Sequence, residues 1–120
     1  MAHVLIADPA PDIAQLVAAA LERRGYGTEI RVRGERPVSA PDVLVVDAGL
    51  RDATSLVDEL RRELPGLPVV ATGIHDIVGE PPLGARIYLV KPFAIADLTA
   101  AVDGVVPTEF IPKRIPASYA

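Results

Sequence analysis

The chain has 120 residues, half of them apolar, no cysteine and a formal net charge of −4. That length holds one ordinary domain with a real core but not two. No apolar stretch approaches the roughly eighteen residues that span a bilayer, so a membrane role is not expected. The acidic balance argues against nucleic acid as the main partner. The absence of cysteine removes disulfides and thiolate metal sites and suits the cytoplasm.

The opening segment, MAHVLIADPAPD, has neither the basic start nor the long apolar run of a signal peptide. Val4 to Ala7 reads instead as a short buried strand bounded by Asp8-Pro9. Ile13, Leu16, Val17, Ala20 and Leu21 then recur at helical spacing. Pro11 suits the first turn of that helix, Asp12 complements its positive end, and Gly25 can close it. Thr28 to Val32 alternates polar and apolar, as a half-exposed edge strand does. Val43 to Val46 is continuously apolar and belongs at the centre of a sheet. Leu56, Val57, Leu60 and Leu64 form a second helical stripe ending at Pro65-Gly66. Val69 to Ala71 and Ile87 to Val90 are two further strands. Ile95, Leu98, Val102 and Val105 give a last helix that starts just past Lys91-Pro92.

Strands alternating with helices predict a doubly wound α/β domain with a five-stranded parallel sheet, its right-handed crossovers placing helices on both faces. Two connections are poor in helix formers. Residues 33–42 contain Gly34, Pro37 and Pro41, and residues 73–86 contain Gly73, Gly79, Pro81, Pro82 and Gly84. The second and fourth helices are therefore expected to be shortened or replaced by loops. The predicted domain covers residues 1–106, followed over residues 107–120 by an extended tail with three prolines.

Four apolar runs stop on polar residues that form one chemical set: Asp8, Asp47, Thr72 and Lys91. Parallel strands would bring all four to the carboxyl edge of the sheet, where open α/β sheets bind ligands. Asp47, at the end of the central strand, is the natural nucleophile toward phosphorus, giving an acyl phosphate. Attack by an anion on a charged phosphoryl donor needs positive charge, which Mg²⁺ and Lys91 would supply. Lys91 is one of only two lysines among twelve basic residues. An ammonium after four apolar residues needs an anionic partner, and Asp47 is the partner expected. Thr72 can hydrogen-bond a phosphoryl oxygen. Taken singly, each residue has a plainer reading. An aspartate after a strand is more often a cap or turn former, and threonine is simply a good strand residue. Their joint placement at successive strand ends favours the functional reading.

With these residues in place, the chain resembles a response regulator receiver domain of two-component signalling, the family of the chemotaxis regulator. The likeness spans roughly residues 3–105 and rests on VLIADPAPDIAQLVAAALERRGY, PDVLVVD, LPVVATG and, most specifically, GARIYLVKPFAIADL. It implies a flavodoxin-like sheet of order 2-1-3-4-5. It also implies Asp47 as phosphoacceptor, Thr72 and Lys91 as phosphoryl contacts, and Tyr88 as the aromatic that moves with the switch hydroxyl. The implied Mg²⁺ ligands are Asp8, Asp47 and the backbone carbonyl of Gly49. A histidine kinase or phosphotransfer protein would donate the phosphoryl group, and a downstream protein would read the result. The chain would be a phosphoacceptor rather than an enzyme, with slow self-dephosphorylation at most.

The departures are specific. Family members usually carry two adjacent acids after the first strand, and here Pro9 stands in the second position, with no side-chain ligand and no backbone donor. That weakens or removes the Mg²⁺ site, and Asp12, a turn further on, is a poor substitute. Ala48 and Arg51 also depart from the usual loop. The alternative is thus a phosphorylation-independent pseudo-receiver acting as an interaction module. A flavin or nucleotide binder is disfavoured because DPAPD lacks the Gly or Ser/Thr that cradle phosphate. Arg23, Arg24, Arg31, Arg33 and Arg36 read as a solvated basic stretch near an edge strand. His3 and His75 have no metal-ligand spacing.

Overall fold

The computed structural model describes residues 1–107. Along them run strand β1 (His3–Ala7), helix α1 (Pro11–Arg23), β2 (Gly27–Ile30), β3 (Val43–Asp47), α2 (Ala53–Glu63), β4 (Val69–Gly73), β5 (Ile87–Val90) and α3 (Ile95–Val105). The strands form one sheet of order β2-β1-β3-β4-β5 in which every pairing is parallel. This is the flavodoxin-like α/β architecture expected from the sequence.

Burial follows that order. Every residue of β3 and β4 is buried, whereas β2 and β5 are only half-covered, as edge strands are. Alternation along the strands separates two cores. Val4, Ile6, Val43, Val45 and Val70 pack with Val17 and Leu21 of α1 and with Leu98 and Val102 of α3. Leu5, Ala7, Leu44, Val46 and Val69 face the other way, onto Leu56, Val57 and Leu60 of α2. One face thus carries two helices and the other carries one.

The two helix-poor connections account for that asymmetry. No helix joins β2 to β3, and only a 3₁₀ turn, Pro82–Gly84, lies between β4 and β5. The first connection is held by polar anchors. The Glu29 carboxylate accepts the Val38 N–H, Asp42 accepts the His3 N–H at 2.7 Å, and Arg36 pairs with Glu63. A cavity of about 790 Å³ lies between this connection and α2. The 3₁₀ turn is clamped by Arg61 of α2, whose guanidinium donates to the carbonyls of Leu83 and Gly84, both at 2.9 Å.

Element ends shift in ways that matter for the site. The β2 strand stops at Ile30 rather than at Val32. The Arg31 N–H still donates to the Ile6 carbonyl at 2.8 Å, but the Val32 carbonyl already closes a turn onto Glu35. Strands β3 and β4 run on to include Asp47 and Thr72. The Lys91-Pro92 peptide bond is cis. The tail expected from Pro107 lies, from residue 108, outside the described residues.

Candidate functional site: an acid–lysine cluster at the carboxyl edge of the sheet

The parallel register sets the site. Asp47 and Thr72 are direct partners in the β3–β4 ladder, and Asp8 and Lys91 each stand one residue beyond their strands. Strand β5 lies two strand spacings, about 10 Å, from β3, so the lysine must reach across β4. Its backbone is steered by an N–H bond to the Gly73 carbonyl at 2.7 Å. Its long stem then delivers Nζ to both acids: 2.6 Å from Asp8 Oδ2 and in direct hydrogen-bonded contact with Asp47 Oδ2. The sequence-predicted partnership of Lys91 with Asp47 is present, and Asp8 shares it.

The remaining carboxylate oxygens are held by backbone. Asp8 Oδ1 accepts the Ala10 N–H at 2.8 Å, a turn-forming bond that leads into α1, and Asp47 Oδ1 accepts the Gly49 N–H at 2.6 Å. Asp8 is therefore both turn former and ion-pair partner. A Cβ on Gly49 would lie 2.9 Å from Asp47 Oδ1, so the loop needs glycine there to come so close. Asp47 and Thr72 are buried, at 7% and 2% exposure. Burial works against the Lys91 ammonium, but hydrogen bonds to Asp47 and Asp8, and their charges, outweigh it and hold its pKa above the ordinary lysine value.

Tyr88 lies beside this cluster rather than in it. Its ring covers Gly73, where a Cβ would lie 2.2 Å from the phenol oxygen, and its hydroxyl donates to the His75 carbonyl at 2.7 Å. A glycine closing β4 is thus what lets the aromatic lie across the strand end.

Solved proteins similar to this chain share its architecture. No family model matches it. The chain is 32% identical over 106 residues to the probable transcriptional regulatory protein TcrX of Mycobacterium tuberculosis, covering 79% of this chain and 45% of TcrX. The crystal structure of the chemotaxis protein CheY4 of Vibrio cholerae superposes with a TM-score of 0.74 at 24% identity, covering 88% of this chain and 99% of that one. The response regulator TrrA of Thermotoga maritima, solved in complex with Mg²⁺ and BeF, superposes at 0.71 with 20% identity, over 88% of this chain and 100% of TrrA. The chain is a single receiver-like domain, and its curated relatives are response regulators. It spans about half the length, or less, of the curated relatives it matches.

The resemblance implies a divalent metal beside these acids, and the side chains that could hold it are reduced to Asp8 and Asp47, both engaged by Lys91. Mg²⁺ prefers six oxygen ligands in near-octahedral array. Here the second acid is Pro9, Asp12 is exposed in the first turn of α1, and all four oxygens of Asp8 and Asp47 already have donors. Among the described residues no three His, Cys, Asp or Glu side chains are grouped to hold a metal ion.

Sequence reasoning missed the basic side of the site. The arginines read as a solvated stretch are divided by the fold. Arg24 pairs with Asp103 beneath α1, and Arg31 makes a two-bond pair with Asp52, at 3.0 and 2.6 Å, with its side chain only 10% exposed. Arg31, Arg33 and Arg51 line a cleft of about 490 Å³ together with Asp8, Pro9 and Gly49. The available signal was topological: order 2-1-3 puts the end of β2 next to the end of β1, so Arg31 and Arg33 emerge beside Asp8.

Proposed function

We propose that this receiver-like domain accepts a phosphoryl group on Asp47 from the phosphohistidine of a histidine kinase or phosphotransfer protein and signals by contact with a downstream protein. The supporting observation is that Lys91 reaches across the carboxyl edge to bind Asp47 and Asp8, with Thr72 beside Asp47 in the ladder. In the transfer, an Asp47 oxygen forms a bond to phosphorus, the phosphorus–nitrogen bond breaks, and the imidazole nitrogen keeps the electron pair. Lys91 stabilises charge on the phosphoryl oxygens as a point cation. Thr72 reads their presence through its hydroxyl, and Tyr88 follows it. Residues 1–106 act as the receiver unit, as a stoichiometric phosphoacceptor in the cytoplasm.

Intact-mass measurement after incubation with acetyl phosphate or a phosphorylated donor, with and without Mg²⁺, tests this reading. The wild type gains one phosphoryl group and Asp47→Ala gains none. A wild type that gains no mass from any donor removes the reading. A second reading, a phosphorylation-independent interaction module, draws its support from Pro9 and the incomplete ligand set. It predicts that Asp47→Ala keeps the full partner affinity of the wild type.

A further inference from the structure

The acid–lysine cluster carries two carboxylates against one ammonium. A phosphoryl group would add further negative charge, and only Asp8 and Asp47, both engaged by Lys91, remain as side-chain ligands for a divalent metal to balance it. Positive charge is nonetheless close. The cleft next to Asp8 and Gly49 is walled by Arg31 and Arg33, at and just beyond the end of β2, and by Arg51 of the β3–α2 loop. The same Gly49 gives its N–H to Asp47, so the cleft and the phosphoacceptor share a wall.

These arginines are unequal. Arg31 is nearly buried and locked to Asp52, yet its Nε has no hydrogen-bond partner. A buried N–H donor left unpaired is costly and calls for an acceptor. Arg33 and Arg51 are exposed and carry the surplus charge of the cleft. Arg33 also acts on the Asp52 carboxylate, helping to hold its pKa below the ordinary range, though less than the Arg31 hydrogen bond does. Guanidinium groups bind phosphate oxygens in two-bond geometry, and the three arginines of the cleft outnumber its two acids, Asp8, which Lys91 already pairs, and Asp52, which Arg31 pairs.

We propose that Arg31, Arg33 and Arg51 form an oxyanion site that holds the phosphoryl group beside Asp47 and supplies, with Lys91, the positive charge that a divalent metal would otherwise bring. The site rests on the phosphoacceptor reading for the source of its phosphoryl group. It also explains why Pro9 is tolerated: a second carboxylate on this wall would compete with the anion for the same guanidinium groups.

The test is a titration of the whole chain with inorganic phosphate in EDTA, followed by amide chemical shifts, on the wild type, on Asp47→Ala and on Arg33→Gln/Arg51→Gln. Both exchanged arginines are exposed, and the Arg31–Asp52 pair stays intact, so the double variant keeps its fold. The wild type shows saturable shifts at Asp8, Gly49 and Arg51. Asp47→Ala, which removes a negative charge but none of the arginines, binds at least as tightly. The double variant binds about fivefold more weakly or worse. Equal affinity in the double variant overturns the proposal, as do shifts that saturate only after Mg²⁺ is added. Mass measurement on the same samples separates the two readings. Phosphate binding in EDTA without a mass gain from any donor removes the phosphoacceptor and leaves the anion site. A mass gain that needs Mg²⁺, without phosphate binding in EDTA, does the reverse.

Discussion

The two faces of the sheet solve the same packing problem differently. On the face covered by α1 and α3, apolar side chains from two helices close over Val4, Ile6, Val43, Val45 and Val70. That closure is pinned at one end by Asp103, which accepts Arg24 Nη2 at 2.6 Å and the Tyr26 hydroxyl at 2.5 Å. On the other face a single helix, α2, meets two connections without α-helix, and side-chain clamps replace the missing helices. Arg31–Asp52 and Arg36–Glu63 tie down the first connection, and Arg61 holds the second by its carbonyls. The carboxyl edge that carries the acid–lysine cluster sits where these faces meet. Losing helices on one face therefore does not loosen the strand ends that carry Asp47 and Thr72, since β3 and β4 are buried throughout.

The largest difference between the faces should appear on truncating their cores. Leu98 of α3 is 1% exposed among two helices and the sheet, so Leu98→Ala leaves a closed void and costs about 3–5 kcal/mol. Leu60 of α2 is 8% exposed and also lines the cavity under the first connection, where solvent and the loop can adjust. Leu60→Ala should cost about 2–3 kcal/mol, at the low end of the range for such truncations. Denaturant unfolding of the two variants measures this directly. Equal losses would mean that the loop-covered face is packed as rigidly as the helix-covered one.

The faces should also differ in pH response. Burial, and then the hydrogen bond to Asp103, push the Tyr26 phenol well above its ordinary value. An acid with a raised folded pKa favours the neutral form, so its contribution is complete below the unfolded value near 10 and is lost as pH rises through the folded one. The Asp52 carboxyl is lowered, chiefly by the Arg31 hydrogen bond. Its contribution is present above the unfolded value of about 3.9 and is lost as pH falls through the folded one. Tyr26→Phe should flatten the alkaline limb of the stability profile, and Asp52→Asn the acid limb. Asp103→Ala, which strands both Arg24 and Tyr26, should cost about 1–3 kcal/mol at neutral pH. An alkaline limb unchanged by Tyr26→Phe would remove the phenol from this account.

Much of this architecture was legible because the sheet writes itself in hydrophobic pattern. The continuous run at Val43–Val46 read as a central strand and Val69–Ala71 as another strand, and in a parallel sheet the polar residue ending each run falls at the carboxyl edge. The prolines and glycines of 33–42 and 73–86 foretold the loss of two helices. Strand ends were less legible, because Asp47 and Thr72 remain in the ladder although their side chains are polar. Least legible were the partners of the arginines. Arg24 and Asp103 are 79 residues apart, and Arg31 and Asp52 are 21 apart. Only the folded crossovers bring them together, so a run of arginines that looked solvated became two half-buried anchors and one wall of a cleft.

The smallest effect sharpens the comparison at the clamp that stands in for the fourth helix. Leu83 has φ +62 and Gly84 also has φ +62, so two successive residues take left-handed backbone to turn the chain under Arg61. Leu83 takes that conformation with its side chain packed against the core formed by α2 and β4. Gly84 accepts it because it has no Cβ, and a Cβ there would lie 2.5 Å from Arg61 Nη1. Gly84→Ala thus adds left-handed strain of about 1–2 kcal/mol and pushes away the guanidinium that holds the turn. The loss should be local. Amide exchange should rise around 82–85 and at the Arg61 end of α2, while the Asp8–Asp47–Lys91 cluster on the far side of β4 keeps its protection. If exchange rose equally at Asp47, the clamp and the acid–lysine cluster would form one cooperative unit, and the division between a helix-closed face and a clamp-closed face would not describe how the molecule opens.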